Sequence, residues 1–173
     1  SLGGQVNHSR PIAEGLIMTL KRKNIYLALF APIIGVGAVF VWFFVNGVTE
    51  ESDDGRTSII LNEDEKDYVL LEMRGLLEAV HAITVGLADN EMGDISSAAK
   101  NVGTGHTGKE PVSLITKLPL EFKMLGMATH GIFDEIALEA EGLGDPAIIL
   151  DKLSDVLNNC TTCHAAYRFD VSR

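Results

Sequence analysis

The sequence predicts an all-α protein, a single transmembrane helix followed by an antiparallel up-down-up-down four-helix bundle. Three observations carry that expectation. Residues 25–45 are almost all apolar, and no charge occurs from Asn24 to Thr49. Beyond residue 62, apolar side chains recur three and four apart, which is the helical period, in successive stretches. No stretch alternates with the period of a strand. At 173 residues the chain has room for one principal core.

Charge divides the chain. Before residue 47, Arg10, Lys21, Arg22 and Lys23 stand against Glu14 alone, yet the whole chain has a net charge of −10. We therefore read residues 1–23 as a basic cytoplasmic tail, 24–46 as a transmembrane helix, 47–61 as a linker and 62–173 as the helical domain. An acidic domain excludes nucleic acid as a partner, because it cannot neutralise phosphates. It suits protein partners with basic docking surfaces.

In the tail, Ile12, Leu16, Ile17 and Leu20 share one helical face and Pro11 fits a first turn, so an amphipathic helix is expected. The apolar run is long enough to cross about 30 Å of hydrocarbon. It is too long for a signal peptide and lacks a small-x-small cleavage site after Trp42. Aromatic residues stand near both of its ends, Tyr26 and Phe30 at one and Trp42, Phe43 and Phe44 at the other. The flanking Lys21-Arg22-Lys23 would keep the N-terminus in the cytoplasm and place the helical domain in the bacterial periplasm, anchored by a single pass in the inner membrane.

Asn62 is placed to cap the first domain helix, about 63–88, with Glu65 completing a capping box. Its seam is Val69, Met73, Leu76, Val80, Ile83 and Leu87. A short second helix begins at Asp94 and stops at Gly103. The stretch G-T-G-H-T-G-K-E-P reads as a loop. A third helix runs from Pro119 to about Glu141, with Phe122, Leu125, Ile132 and Ile136 as its apolar stripe. Asp145-Pro146 starts the fourth, about 146–169. Ile149, Leu153, Val156, Cys160, His164 and Tyr167 share one of its faces, which a bundle would bury against a cofactor.

That last helix holds the only two cysteines, in C-T-T-C-H. Two thiols make no disulfide framework, a structural zinc site needs four ligands, and a thioredoxin-like C-x-x-C needs a βαβ setting. The histidine immediately after the second cysteine decides. C-x-x-C-H is the attachment pattern for haem c: Cys160 and Cys163 add across its two vinyl groups, and His164 becomes the proximal iron ligand. One covalent haem c is the expected cofactor.

The run C-x-x-C-H-x-x-Y-R (Cys160, Cys163, His164, Tyr167, Arg168), on the last helix of a four-helix domain, resembles the cytochrome c′ family and its methionine-ligated relatives. The resemblance covers about residues 62–170. It implies a haem whose distal side is controlled by a residue of the first bundle helix, with Tyr167 and Arg168 in the haem surroundings. Where that family has an arginine one turn before the distal residue, this chain has Val69. Arg74 is near but rotated.

Met73, Met124, Met127 and His130 are the candidates for the distal ligand. Met73 lies on the inward seam at a depth compatible with His164. His130 aligns with Lys123, Met127 and Asp134, a polar face expected to meet water. Met73 is therefore the expected distal ligand, and His8, His81 and His106 are read as surface residues. Histidine–methionine ligation suits a non-enzymatic electron carrier, because iron keeps six ligands in both oxidation states. The expected role is electron transfer as a subunit of a respiratory or photosynthetic membrane complex. The alternative is a cytochrome c′-like module binding NO or CO at an open sixth site. No nucleophile–base pair or carboxylate dyad points to enzymatic turnover.

Overall fold

The computed structural model describes residues 30–172, which fall into two compact units divided between Val41 and Trp42. Residues 30–46 are helical (α1), with their large apolar side chains exposed. The expected cytoplasmic tail, its amphipathic helix, His8 and the first six residues of the expected span lie outside the described residues. Among the described residues no helix is long and apolar enough to cross a membrane. The single transmembrane helix is thus not supported. The inner-membrane, periplasmic location and the membrane-complex setting built on it are withdrawn with it.

The all-α expectation is also corrected. Between α1 and the first domain helix lie β1 (Thr49–Glu51) and β2 (Thr57–Leu61), and the chain ends in β3 (Tyr167–Val171). They form one three-stranded sheet in the order β1-β2-β3. The first pair is antiparallel, with Thr49 opposite Ile59. The second is parallel, with Thr57 opposite Tyr167 and Leu61 opposite Val171. T-S-I-I-L and Y-R-F-D-V are rich in β-branched and aromatic residues, but five residues are too few to display a period. Residues 47–61 are therefore a hairpin packed on the domain and not a tether. The last helix, expected to reach 169, stops at Ala166.

The helices fall where their caps predict. α2 (Glu63–Asp89) starts with the full capping box: the Asn62 side chain accepts from the Glu65 N–H, and Glu65 accepts from the Asn62 N–H. It ends at Asn90 in the left-handed conformation. α3 (Met92–Lys100) begins two residues before the expected Asp94 and has no side-chain cap. α4 (Val112–Lys117), a single short helix after the loop, was not anticipated. α5 (Leu120–Glu141) and α6 (Pro146–Ala166) complete the set, α6 with Asp145 accepting from the Ala147 N–H and Pro146 in the first turn.

Two apolar clusters hold the second unit together. The larger joins Ile83 of α2, Ile95 of α3, Phe133 and Ile136 of α5, and Ile149 and Val156 of α6, all fully buried. Each such side chain contributes about 1.5 to 3 kcal/mol of burial. The smaller joins Ile59 and Leu61 of β2 with Val69 of α2 and with Leu114 and Leu118 around α4. Gly47 makes a close approach possible beside it. Its φ is +67°, and a Cβ there would lie 2.3 Å from the Lys117 carbonyl oxygen. The next residue, Val48, donates its N–H to that carbonyl at 2.8 Å.

Candidate functional site: a thiol and histidine cleft

The cleft lies where α2, α5 and α6 line a common space. Cys160, Cys163 and His164 line a cavity of about 150 Å³, with Met73 and Leu76 of α2 and Leu125 and His130 of α5 among its other walls. A second compartment of about 190 Å³ shares Met73, Phe122, Cys163 and His164 and adds Arg56, Lys66, Tyr167 and Arg168. A third, of about 430 Å³, shares Val69, Phe122 and His130 and adds residues around α4. Phe122 lines all three, and its ring meets Tyr167 edge-on at 5.4 Å and Phe169 at 5.6 Å. The three compartments thus adjoin, each bordered by that ring.

Both thiols are free and half-buried. Burial pushes both above the ordinary thiol range, and for Cys163 the neighbouring Cys160 adds to it. That is the reverse of a redox-active C-x-x-C, whose attacking thiol is held low as a thiolate. Among the described residues no three or more His, Cys, Asp or Glu side chains are grouped to hold a metal ion. The expectation of metal binding is corrected accordingly. The side chains alone build no metal centre, and a metal could enter only inside a group that brings most of its own ligands.

No protein family, curated protein or solved structure matches this chain. The cytochrome c′ resemblance accordingly rests on the motif residues and on what surrounds them.

Of the residues singled out from sequence, Cys160, Cys163, His164, Met73, Tyr167 and Arg168 all line the cleft. Tyr167 and Arg168 do so from β3, not from α6. Arg168 is tied to Asp170 at 2.8 Å and to Ser52 Oγ at 3.2 Å, and Tyr167 Oη lies 3.4 Å from Glu121. Arg74 and Met124 do not line the cleft, and Met124 is exposed. Met127 is exposed but borders the third compartment. His81 and His106 are exposed, as expected.

One contributor escaped the sequence reading, and a second was named there as a distal-ligand candidate but expected to face water. Arg56, in the presumed linker, donates to the His164 and Tyr167 carbonyls at 3.4 and 3.5 Å, where α6 ends. A cation there complements the exposed carbonyls of a helix C-terminus. Asp54 orients it through contacts of 2.6 and 2.9 Å, and no sequence signal links residue 56 to 164. The second is His130. Its face was expected to meet water, but the loop after α3 covers it. His130 Nδ1 lies 2.6 Å from the Val102 carbonyl oxygen, and Asp134, one turn on, accepts from the Thr104 N–H and hydroxyl at 3.1 and 2.6 Å.

The residues fit a covalent haem c. Two unpaired thiols with i, i+3 spacing and the following histidine line a cleft whose main cavity is walled largely by apolar groups. A space of about 150 Å³ is that of about five waters, so a porphyrin needs the adjoining compartments as well.

Proposed function

We propose that the chain is a monohaem c-type electron carrier of the cytochrome c′ kind. The single observation that carries this reading is that Cys160, Cys163 and His164 share one largely apolar cleft in which the two thiols are free. Cys160 and Cys163 hold the haem by thioether links, and His164 is the proximal ligand. A bound haem supplies reversible one-electron exchange at its iron. The chain's own residues do the rest. Leu76, Leu125 and Val69 keep water from the buried face. Arg56, Lys66 and Arg168, cationic groups lining the compartment beside His164, would be the groups to hold the haem carboxylates. Met73 stands on the wall from which a distal ligand is expected. The net charge of −10 directs the domain toward basic redox partners.

The test is expression of the chain alongside a haem-attachment system, followed by denaturation and mass measurement. The expected result is a mass increased by one haem that survives denaturation and disappears in a Cys160→Ser, Cys163→Ser double variant. Unmodified protein, with both thiols still alkylatable, would overturn the reading. A reduced spectrum with sharp bands untouched by CO supports the carrier, and a CO-sensitive one points to a gas-binding module.

A further inference from the structure

We propose that His130, rather than Met73, provides the sixth ligand of the haem iron. The inference rests on the haem reading above and deepens it, since the sequence alone favoured Met73. Both side chains line the cavity bounded by Cys160, Cys163 and His164, so access does not separate them. What each side chain already does in the fold separates them.

His130 is held as a metal-ligating histidine is held. A carbonyl oxygen can only accept, so Nδ1, 2.6 Å from the Val102 carbonyl, must carry its proton. A neutral ring then leaves Nε2 with a lone pair. Histidines that bind metals characteristically donate their other ring N–H to a carbonyl or carboxylate, which fixes tautomer and orientation and raises basicity. The support behind Val102 is itself anchored. Asp134 bonds both donors of Thr104, and Gly103 sits so close that a Cβ would lie 1.9 Å from Asp134 Oδ1. A half-buried imidazole is thus held in one orientation by a clamp of three consecutive loop residues.

Met73, by contrast, has work in the apolar interior. It packs against the cluster of Ile59, Leu61, Val69, Leu114 and Leu118, where a flexible thioether fills space well. Among the described residues its sulfur makes no hydrogen bond, so only apolar packing positions it.

The experiment uses the full chain with covalent haem, confirmed by mass after denaturation. Loss of covalent haem would defeat the haem reading itself and this inference with it, so the two failures are distinguishable. On the unmodified oxidised protein, electron paramagnetic resonance and near-infrared spectra should carry a bis-histidine signature without a sulfur-to-iron charge-transfer band. Presence of that band overturns the proposal. In the reduced state, His130→Ala should gain CO binding and lose the low-spin spectrum, while Met73→Leu leaves both unchanged. His130→Met, which can restore a sixth ligand, should create the sulfur band and raise the midpoint potential. If Met73→Leu alone opens the iron to CO, or if the unmodified protein already binds CO, the assignment is wrong.

Discussion

Glu65 is a buried acid whose Oε2 accepts from both the Asn62 N–H and Lys117 Nζ. It is 4% exposed, caps α2, and takes an ion pair from Lys117 Nζ at 2.5 Å. Removing one partner strands the other, so Glu65→Ala should lower the unfolding free energy by about 2 to 3 kcal/mol in urea titrations. A loss below about 0.5 kcal/mol would mean the pair is inert. Burial raises the Glu65 carboxyl, but the Lys117 ammonium and the Asn62 N–H outweigh it, leaving the group below its ordinary 4.5. Its stabilisation is therefore complete above the unfolded value and fades as pH falls through the lower folded one. Acid unfolding of the wild type should be steeper than that of the alanine variant, and superimposable curves would contradict it. Gly103→Ala tests the loop clamp, because the new Cβ displaces Asp134. It should cost about 1 to 2 kcal/mol and speed hydrogen exchange at the Thr104 amide while leaving the interior of α3 protected. Unaltered exchange at Thr104 would show that the clamp does not depend on that contact.

At the scale of elements, the end of the chain is what the site depends on. If α6 had continued to 169, Tyr167 would follow Cys163 and His164 on its inner face. Instead α6 ends at Ala166, β3 pairs in parallel with β2, and Tyr167 and Phe169 close on Phe122. A parallel pair requires a long connection, and here the whole set of domain helices supplies it. The ring of Phe122 joins β3 to α5 and borders every compartment of the cleft. Phe122→Ala should lose about 2 to 3 kcal/mol, combining removed contacts with the edge-on aromatic pairs. Thermal unfolding monitored by circular dichroism measures it. A melting temperature within a degree of wild type would show that β3 is held by its backbone pairing alone.

For the whole molecule, the net charge of −10 is a statement about encounter rather than fold. Ion pairs such as Lys152–Glu135 and Lys100–Glu141 sit at the surface and are worth little individually. The unpaired excess sets the long-range field. Electron exchange between the haem-loaded chain and a small basic redox protein should slow markedly between about 0.01 and 1 M salt, as the screening length falls from about 30 to 3 Å. A rate indifferent to salt would remove the docking role assigned to the acidic surface.

Local chemistry alone determined the helices with strong caps and long seams, since Asn62-x-x-Glu65 and Asp145-Pro146 act within one turn of their own position. The C-x-x-C-H run is likewise legible in adjacent residues. The sheet was not legible, because five-residue strands are too short to show a period and β2 meets β3 only across more than a hundred positions. Nor was the span settled by apolar content, since among the described residues no helix is long and apolar enough to cross a membrane. His130 looked solvated because its neighbours on α5 are polar. Only the tertiary structure decided that the polar face grips a loop and that Arg56 closes the end of α6, because hydrogen bonds between distant residues leave no period in a sequence.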